Sequence, residues 1–132
     1  MASSCGAAGA AEARIRPQDI VFTLPDYEDP RDEAVIHYLV YEFANPYPGA
    51  IIQKILYSAS LINDTMDIVS DGRTIAIASC DRLSGTLLIG GTFSTLRFLS
   101  SNNGCHGQGA LDLGPPGGGL KGVTVRIVYG FK

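Results

Sequence analysis

The sequence predicts an all-β chain, antiparallel and closed into a barrel of about eight strands. Two observations carry this. No eleven-residue window places apolar residues at helical spacing, whereas β-branched and aromatic residues recur in short runs separated by turn residues. With no helices to serve as crossovers, parallel βαβ units are excluded.

Taken in order, Ile20 to Leu24 reads as a first short strand, closed by Pro25 and a solvated acidic loop from Asp26 to Glu33. Ala34 to Phe43 is the strongest strand, and it ends at Asn45-Pro46-Tyr47-Pro48-Gly49, where two prolines forbid further pairing. Ile51 to Ile62 is long enough for a strand with a bend. Asn63-Asp64 turns the chain into Met66 to Ser70, and Asp71-Gly72 joins that strand to Arg73–Cys80 as a type I′ hairpin, whose two central positions need positive φ.

Asp81 to Ser84 is a further turn. Gly85 to Leu99 then supplies one or two strands around Gly90-Gly91, a bulge or corner. Ser100 to Gly107 reads as a polar loop, Gln108 to Leu113 as a short strand, Gly114 to Gly119 as a flexible loop, and Gly122 to Phe131 as the last strand.

Side-chain alternation orients these strands. Val123, Val125, Ile127, Tyr129 and Phe131 share the interior face of the last strand, opposite Thr124, Arg126 and Val128. On Ala34–Phe43 both faces are largely apolar, so both read as buried, one in the barrel and one against a neighbouring subunit. A homo-oligomer follows as an expectation.

The chain has 132 residues, 45% of them hydrophobic and 17% charged, enough apolar material for one buried core and no second domain. Residues 1–16 read as a flexible N-terminal segment and residues 17–132 as the single barrel domain. The segment lacks the apolar run of a secretory signal, which makes the cytoplasm the default location, and no stretch reads as a membrane span. A net charge of −3 and the lack of a Lys/Arg tract argue against nucleic acid as a partner. Three cysteines, Cys5, Cys80 and Cys105, include no CxxC pair. They support neither a disulfide framework nor a zinc site, although one Cys80–Cys105 bridge is open to an oxidising compartment. The sequon Asn63-Asp64-Thr65 would matter only in a secreted chain.

Motifs for nucleotides, metalloproteases, serine hydrolases and calcium are absent, and the two histidines have no further ligand at metal spacing, so neither a metal nor a cofactor is expected. Glu42 stands out: a carboxylate ending an apolar strand must be paired, hydrogen-bonded or exposed, or else it faces the lumen with a raised pKa and acid–base capacity. Tyr38 shares its face two pleats away and can present a hydroxyl to the same cavity, while His37 lies on the opposite face unless a bulge intervenes. Core packing is the plain alternative for Tyr38, and for Tyr57 and Tyr129, which are further lumen candidates with Val40, Val125 and Ile127. Cys80 beside Asp81 is a poor nucleophile, and Cys105-His106 lies in a glycine-rich loop that does not orient it.

Val40-Tyr41-Glu42-Phe43-Ala44-Asn45-Pro46-Tyr47-Pro48-Gly49 resembles the first barrel strand of the allene oxide cyclase family, which ends in Val-Tyr-Glu before an asparagine and a proline turn. Gly90-Gly91-Thr92-Phe93 and the last strand are similar to the related dirigent proteins. The resemblance covers about twenty residues. It implies a calycin-like eight-stranded barrel, often trimeric, in which Glu42 would assist charge delocalisation during cyclisation, with Asn45 and Pro48 near the ligand. Asn45 stands one residue off the family spacing.

Three functions remain open at this point. One is a barrel that binds a reactive hydrophobic intermediate and directs its cyclisation or isomerisation, with Glu42 and Tyr38 catalytic and no cofactor. Another is a non-catalytic binder of lipids or terpenoids. The third is a structural or lectin-like assembly domain.

Overall fold

The computed structural model describes residues 17–28, 37–62, 65–79, 82–101 and 119–130. Among them are eleven strands and no helix: β1 (Ile20–Thr23), β2 (Tyr27–Glu28), β3 (His37–Ala44), β4 (Ile52–Ser58), β5 (Leu61–Ile62), β6 (Thr65–Ser70), β7 (Arg73–Ser79), β8 (Ser84–Gly91), β9 (Thr95–Ser101), β10 (Gly119–Lys121) and β11 (Thr124–Tyr129). Every pairing is antiparallel. The all-β antiparallel prediction holds.

Closure does not. The strands form two four-stranded sheets, β3-β9-β6-β7 and β1-β11-β4-β8, and a three-stranded sheet, β2-β10-β5. Adjacent strands β7 and β8 run side by side without a hydrogen-bonded ladder, and β1 meets β3 through side chains alone, so the hydrogen-bonded wall is interrupted at both places.

The two larger sheets enclose the core. Phe22 of β1 stacks on Tyr41 and Phe43 of β3 at 5.2 and 5.0 Å between ring centroids and meets Phe98 of β9 edge-on at 5.8 Å. Ile55, Val125 and Ile127 from one sheet and Met66, Ile68 and Leu96 from the other are fully buried between these rings. The alternation expected of the last strand is observed, with Val123, Val125, Ile127 and Tyr129 buried. Leu120 and Ile62, paired in the three-stranded sheet, join the same core.

Local chemistry explains the hairpins. Asp71 and Gly72 have φ of 53° and 77°, the pair of positive values that a type I′ turn requires, and Ser70 pairs with Arg73 across it. Gly90 has φ of 74°, and the β4–β8 register shifts beside it, so the Gly-Gly pair is a bulge as expected.

Several expectations are corrected. The single bent strand from Ile51 to Ile62 is two strands, broken where the Ala59 and Ser60 amides turn aside to the Leu83 and Lys121 carbonyls. Tyr27-Glu28, expected in a solvated loop, and Gly119, expected in a flexible one, pair with each other's strands. Ser100 and Ser101 were expected to open a polar loop; they are the buried end of β9. The second apolar face of β3 stands open in the single chain, with Leu39 51% exposed.

Residues 1–16, the 29–36 segment, Asn63-Asp64, Cys80-Asp81, the expected strand Gln108–Leu113, the Cys105-His106 pair and Phe131 lie outside the described residues. No helix among the described residues is long and apolar enough to cross a membrane.

Candidate functional site

The interruption between β7 and β8 is where a cleft forms. It has a volume of about 280 Å³ and is lined by Ile77 and Ser79 of β7, by Gly85, Thr86 and Leu87 of β8, by Tyr57 of β4 and by Arg82 of the connection between β7 and β8. Two unpaired sheet edges diverging around a short connection leave a gap that side chains only partly fill. Its floor is Tyr57, directly opposite Gly85 across β4 and β8.

A Cβ at Gly85 would crowd that ring at 3.2 Å. The Tyr57 hydroxyl donates to the Arg82 carbonyl at 2.8 Å. Burial pushes the phenol's pKa above its usual 10.0, and the Arg82 guanidinium pulls it partly back. The phenol therefore stays neutral at ordinary pH, with its donor committed and its oxygen able to accept. Around it stand a guanidinium, two hydroxyls and two aliphatic side chains: a surface suited to holding a small molecule by an apolar body and one polar end.

Of the residues singled out in the sequence, Tyr57 alone lines this cleft. Asn45 and Tyr129 come together elsewhere, the Tyr129 hydroxyl bonding Asn45 Oδ1 at 2.5 Å. Asn45 also donates through Nδ2 to the Phe93 carbonyl at 2.6 Å and accepts from the Tyr47 amide at 3.0 Å. Tyr47 packs edge-on against the Tyr129 ring at 5.3 Å. Burial, with Tyr47 adding to it, pushes the Tyr129 pKa up to about 12. This knot ties the end of β3 to β11 and to the segment before β9. Pro48, beside it, is exposed. Val125 and Ile127 are core residues with no exposure.

Glu42 and Tyr38 do not share a face. Between Phe98 and Leu99 the register of β9 against β3 shifts, so that Tyr41 pairs with Phe98 and Leu39 with Leu99, and Val40 is the extra residue of a bulge. The bulge reverses the alternation. Tyr38 and Val40 turn toward the core, where Tyr38 meets Tyr27 at 5.7 Å between rings, while Glu42 lies on the outer face, half exposed, 3.7 Å from Arg97.

His37 shares that outer face. Its Nδ1 lies 2.8 Å from Ser101 Oγ and 3.7 Å from Asp67 Oδ2, and Thr65 donates to Asp67 Oδ1 at 2.7 Å. Serine and carboxylate contact the same imidazole nitrogen, so they do not form the relay of a nucleophilic triad, in which the ring bridges them with its two nitrogens. Ser101 is also fully buried.

Sequence reasoning missed Arg82, Ser79 and Thr86, which fell in a turn or on polar strand positions and carried no signal of their own. It missed Asp67 as well, since a single acid in Thr-Met-Asp-Ile-Val-Ser looks like a solvated position. Among the described residues no three His, Cys, Asp or Glu side chains gather as a metal site.

Comparison with protein-family models, with curated proteins and with solved structures finds no match to this chain.

Proposed function

We propose that the chain binds a small molecule with a polar end and a short apolar body in the cleft between β7 and β8, without carrying out a chemical step on it. The observation that carries this reading is the cleft itself, which Tyr57 with its neutral phenol, Arg82, Ile77 and Leu87 line together. The exposed lining is mainly polar, with Ile77 and Leu87 as its aliphatic part, so polar groups fix the orientation of a ligand whose body meets those two side chains.

Of the functions open from the sequence, the non-catalytic binder is best supported. Burial keeps the Tyr57 phenol protonated, and no carboxylate is among the described residues lining the cleft. Glu42 stands on the outer face of the other sheet and is given no part. The eight longer and flanking strands, taken in the order β3-β9-β6-β7 and then β8-β4-β11-β1, are read as the wall of a calycin-like barrel opened along this seam. Support comes from the adjacency of β7 and β8 and from the Phe22 contacts that bring β1 to β3.

Backbone amide NMR with benzyl alcohol, a neutral probe of suitable size, tests the reading. Saturable shifts confined to Tyr57, Ser79, Arg82, Gly85 and Thr86 are expected. Shifts scattered over the surface, or none at millimolar probe, would overturn it.

A further inference from the structure

Of the four arginines among the described residues, Arg97 and Arg126 have carboxylate partners, whereas Arg73 and Arg82 have none at ion-pair distance among those residues. Arg97 faces Glu42 at 3.7 Å, and Arg126 faces Asp19 at 3.4 Å. Arg82 has no carboxylate within ion-pair distance among the described residues, and it lines the cleft rather than the outer surface of a sheet. Its charge reaches the Tyr57 hydroxyl, whose pKa it lowers against the effect of burial. Ser79 and Thr86 add hydroxyls to the same cleft. Among the described residues, the polar groups here are thus a cation and hydroxyls, with no carboxylate beside them.

We infer that the preferred ligand is a compact monocarboxylate, its carboxylate held by Arg82 with Ser79 or Thr86, and its aromatic or short aliphatic body lying against Tyr57, Ile77 and Leu87. This rests on the binding reading above and adds the ligand's charge and size.

A planar guanidinium gives a carboxylate two parallel donors, which a neutral hydroxyl cannot use. The size limit comes from the volume. The cleft is open to solvent on one side, and its 280 Å³ accommodates a body of about ten non-hydrogen atoms. Arg82 is exposed, so solvent screens the pair and the gain from charge is moderate: about five- to tenfold in affinity, falling as salt is added.

The experiment compares benzoate, benzyl alcohol and acetate by amide NMR titration on the full chain and on Arg82→Gln. Benzoate should bind about five- to tenfold more tightly than benzyl alcohol and should move the same cleft amides. Arg82→Gln should bring benzoate to parity with benzyl alcohol while leaving benzyl alcohol unchanged. The variant keeps the Arg82 carbonyl that Tyr57 bonds, and an unaltered amide spectrum elsewhere reports that it folds.

Benzoate no tighter than benzyl alcohol, or equal weakening of both by Arg82→Gln, would overturn the carboxylate preference and leave the binding reading standing. Acetate binding as tightly as benzoate would overturn the role of the apolar body. If neither aromatic probe moves the cleft amides, both the inference and the reading beneath it fail.

Discussion

Tyr57 and Gly85 pair directly across β4 and β8, and a Cβ added at Gly85 would lie 3.2 Å from both Cε1 and the hydroxyl oxygen of Tyr57. The ring takes the space that a side chain would fill, which shields the glycine backbone and forms the cleft floor.

Gly85→Ala should therefore displace the Tyr57 ring by a few tenths of an ångström and strain its bond to the Arg82 carbonyl, costing about 1 kcal/mol in urea denaturation. In a Tyr57→Leu background the crowding is gone, and the better strand propensity of alanine should make the same change neutral or stabilising. A double-mutant cycle measures the coupling directly; additivity of the two substitutions would rule out the contact as its cause.

Asn45 satisfies three partners at once: the Tyr129 hydroxyl, the Phe93 carbonyl and the Tyr47 amide. Tyr129→Phe removes one hydrogen bond and should cost about 1 kcal/mol, whereas Asn45→Ala strands several polar groups around a buried site and should cost about 2–4 kcal/mol. Urea denaturation of the two variants compares them. Equal losses would mean that the asparagine's other two bonds contribute nothing.

The contrast between what was and was not legible in the sequence follows from the range of each signal. The type I′ turn at Asp71-Gly72, the bulge at Gly90 and the alternation of β11 are local properties of a few residues, and all three are found. The bulge at Val40 leaves no such mark, because valine is at home on either face of a strand. Yet that one extra residue parts Tyr38 from Glu42 and brings His37 to the outer face. The cleft was illegible for a related reason. It exists because two sheet edges fail to pair, and no residue type announces a ladder that does not form.

Two carboxylates should respond oppositely to their prominence in the sequence. Glu42 and Arg97 are both about half exposed and 3.7 Å apart, so Glu42→Gln should shift stability by less than about 0.5 kcal/mol. Asp67 is buried on the outward side of β6, bonded by Thr65 and close to His37, and Asp67→Ala should cost about 2 kcal/mol or more by removing the buried acceptor of the Thr65 hydroxyl and opening space in a packed site. Thermal or urea unfolding of the pair decides it; a larger loss at Glu42 would reverse the assignment of structural weight.

Alkaline pH should weaken the fold through Tyr129. Its folded pKa of about 12 lies above a tyrosine's ordinary 10.0, so the folded chain holds the phenolic proton more tightly than the unfolded chain does. The associated stability is complete below about pH 10, where both states are protonated, and is lost as pH rises toward the folded value. The full shift corresponds to at most about 2.7 kcal/mol, of which about 2 kcal/mol should be gone by about pH 11.5. Lysine and the other tyrosines also titrate in this range, so the diagnostic quantity is the difference between the unmodified chain and Tyr129→Phe, followed by urea denaturation from about pH 9 to about pH 11.5. Tyr129→Phe starts less stable, having lost the bond to Asn45, but it has no phenol at position 129 to ionise; the gap between the two should narrow with rising pH and close or invert at the alkaline end. A constant gap would show that Tyr129 ionises as freely in the folded chain as in the unfolded one.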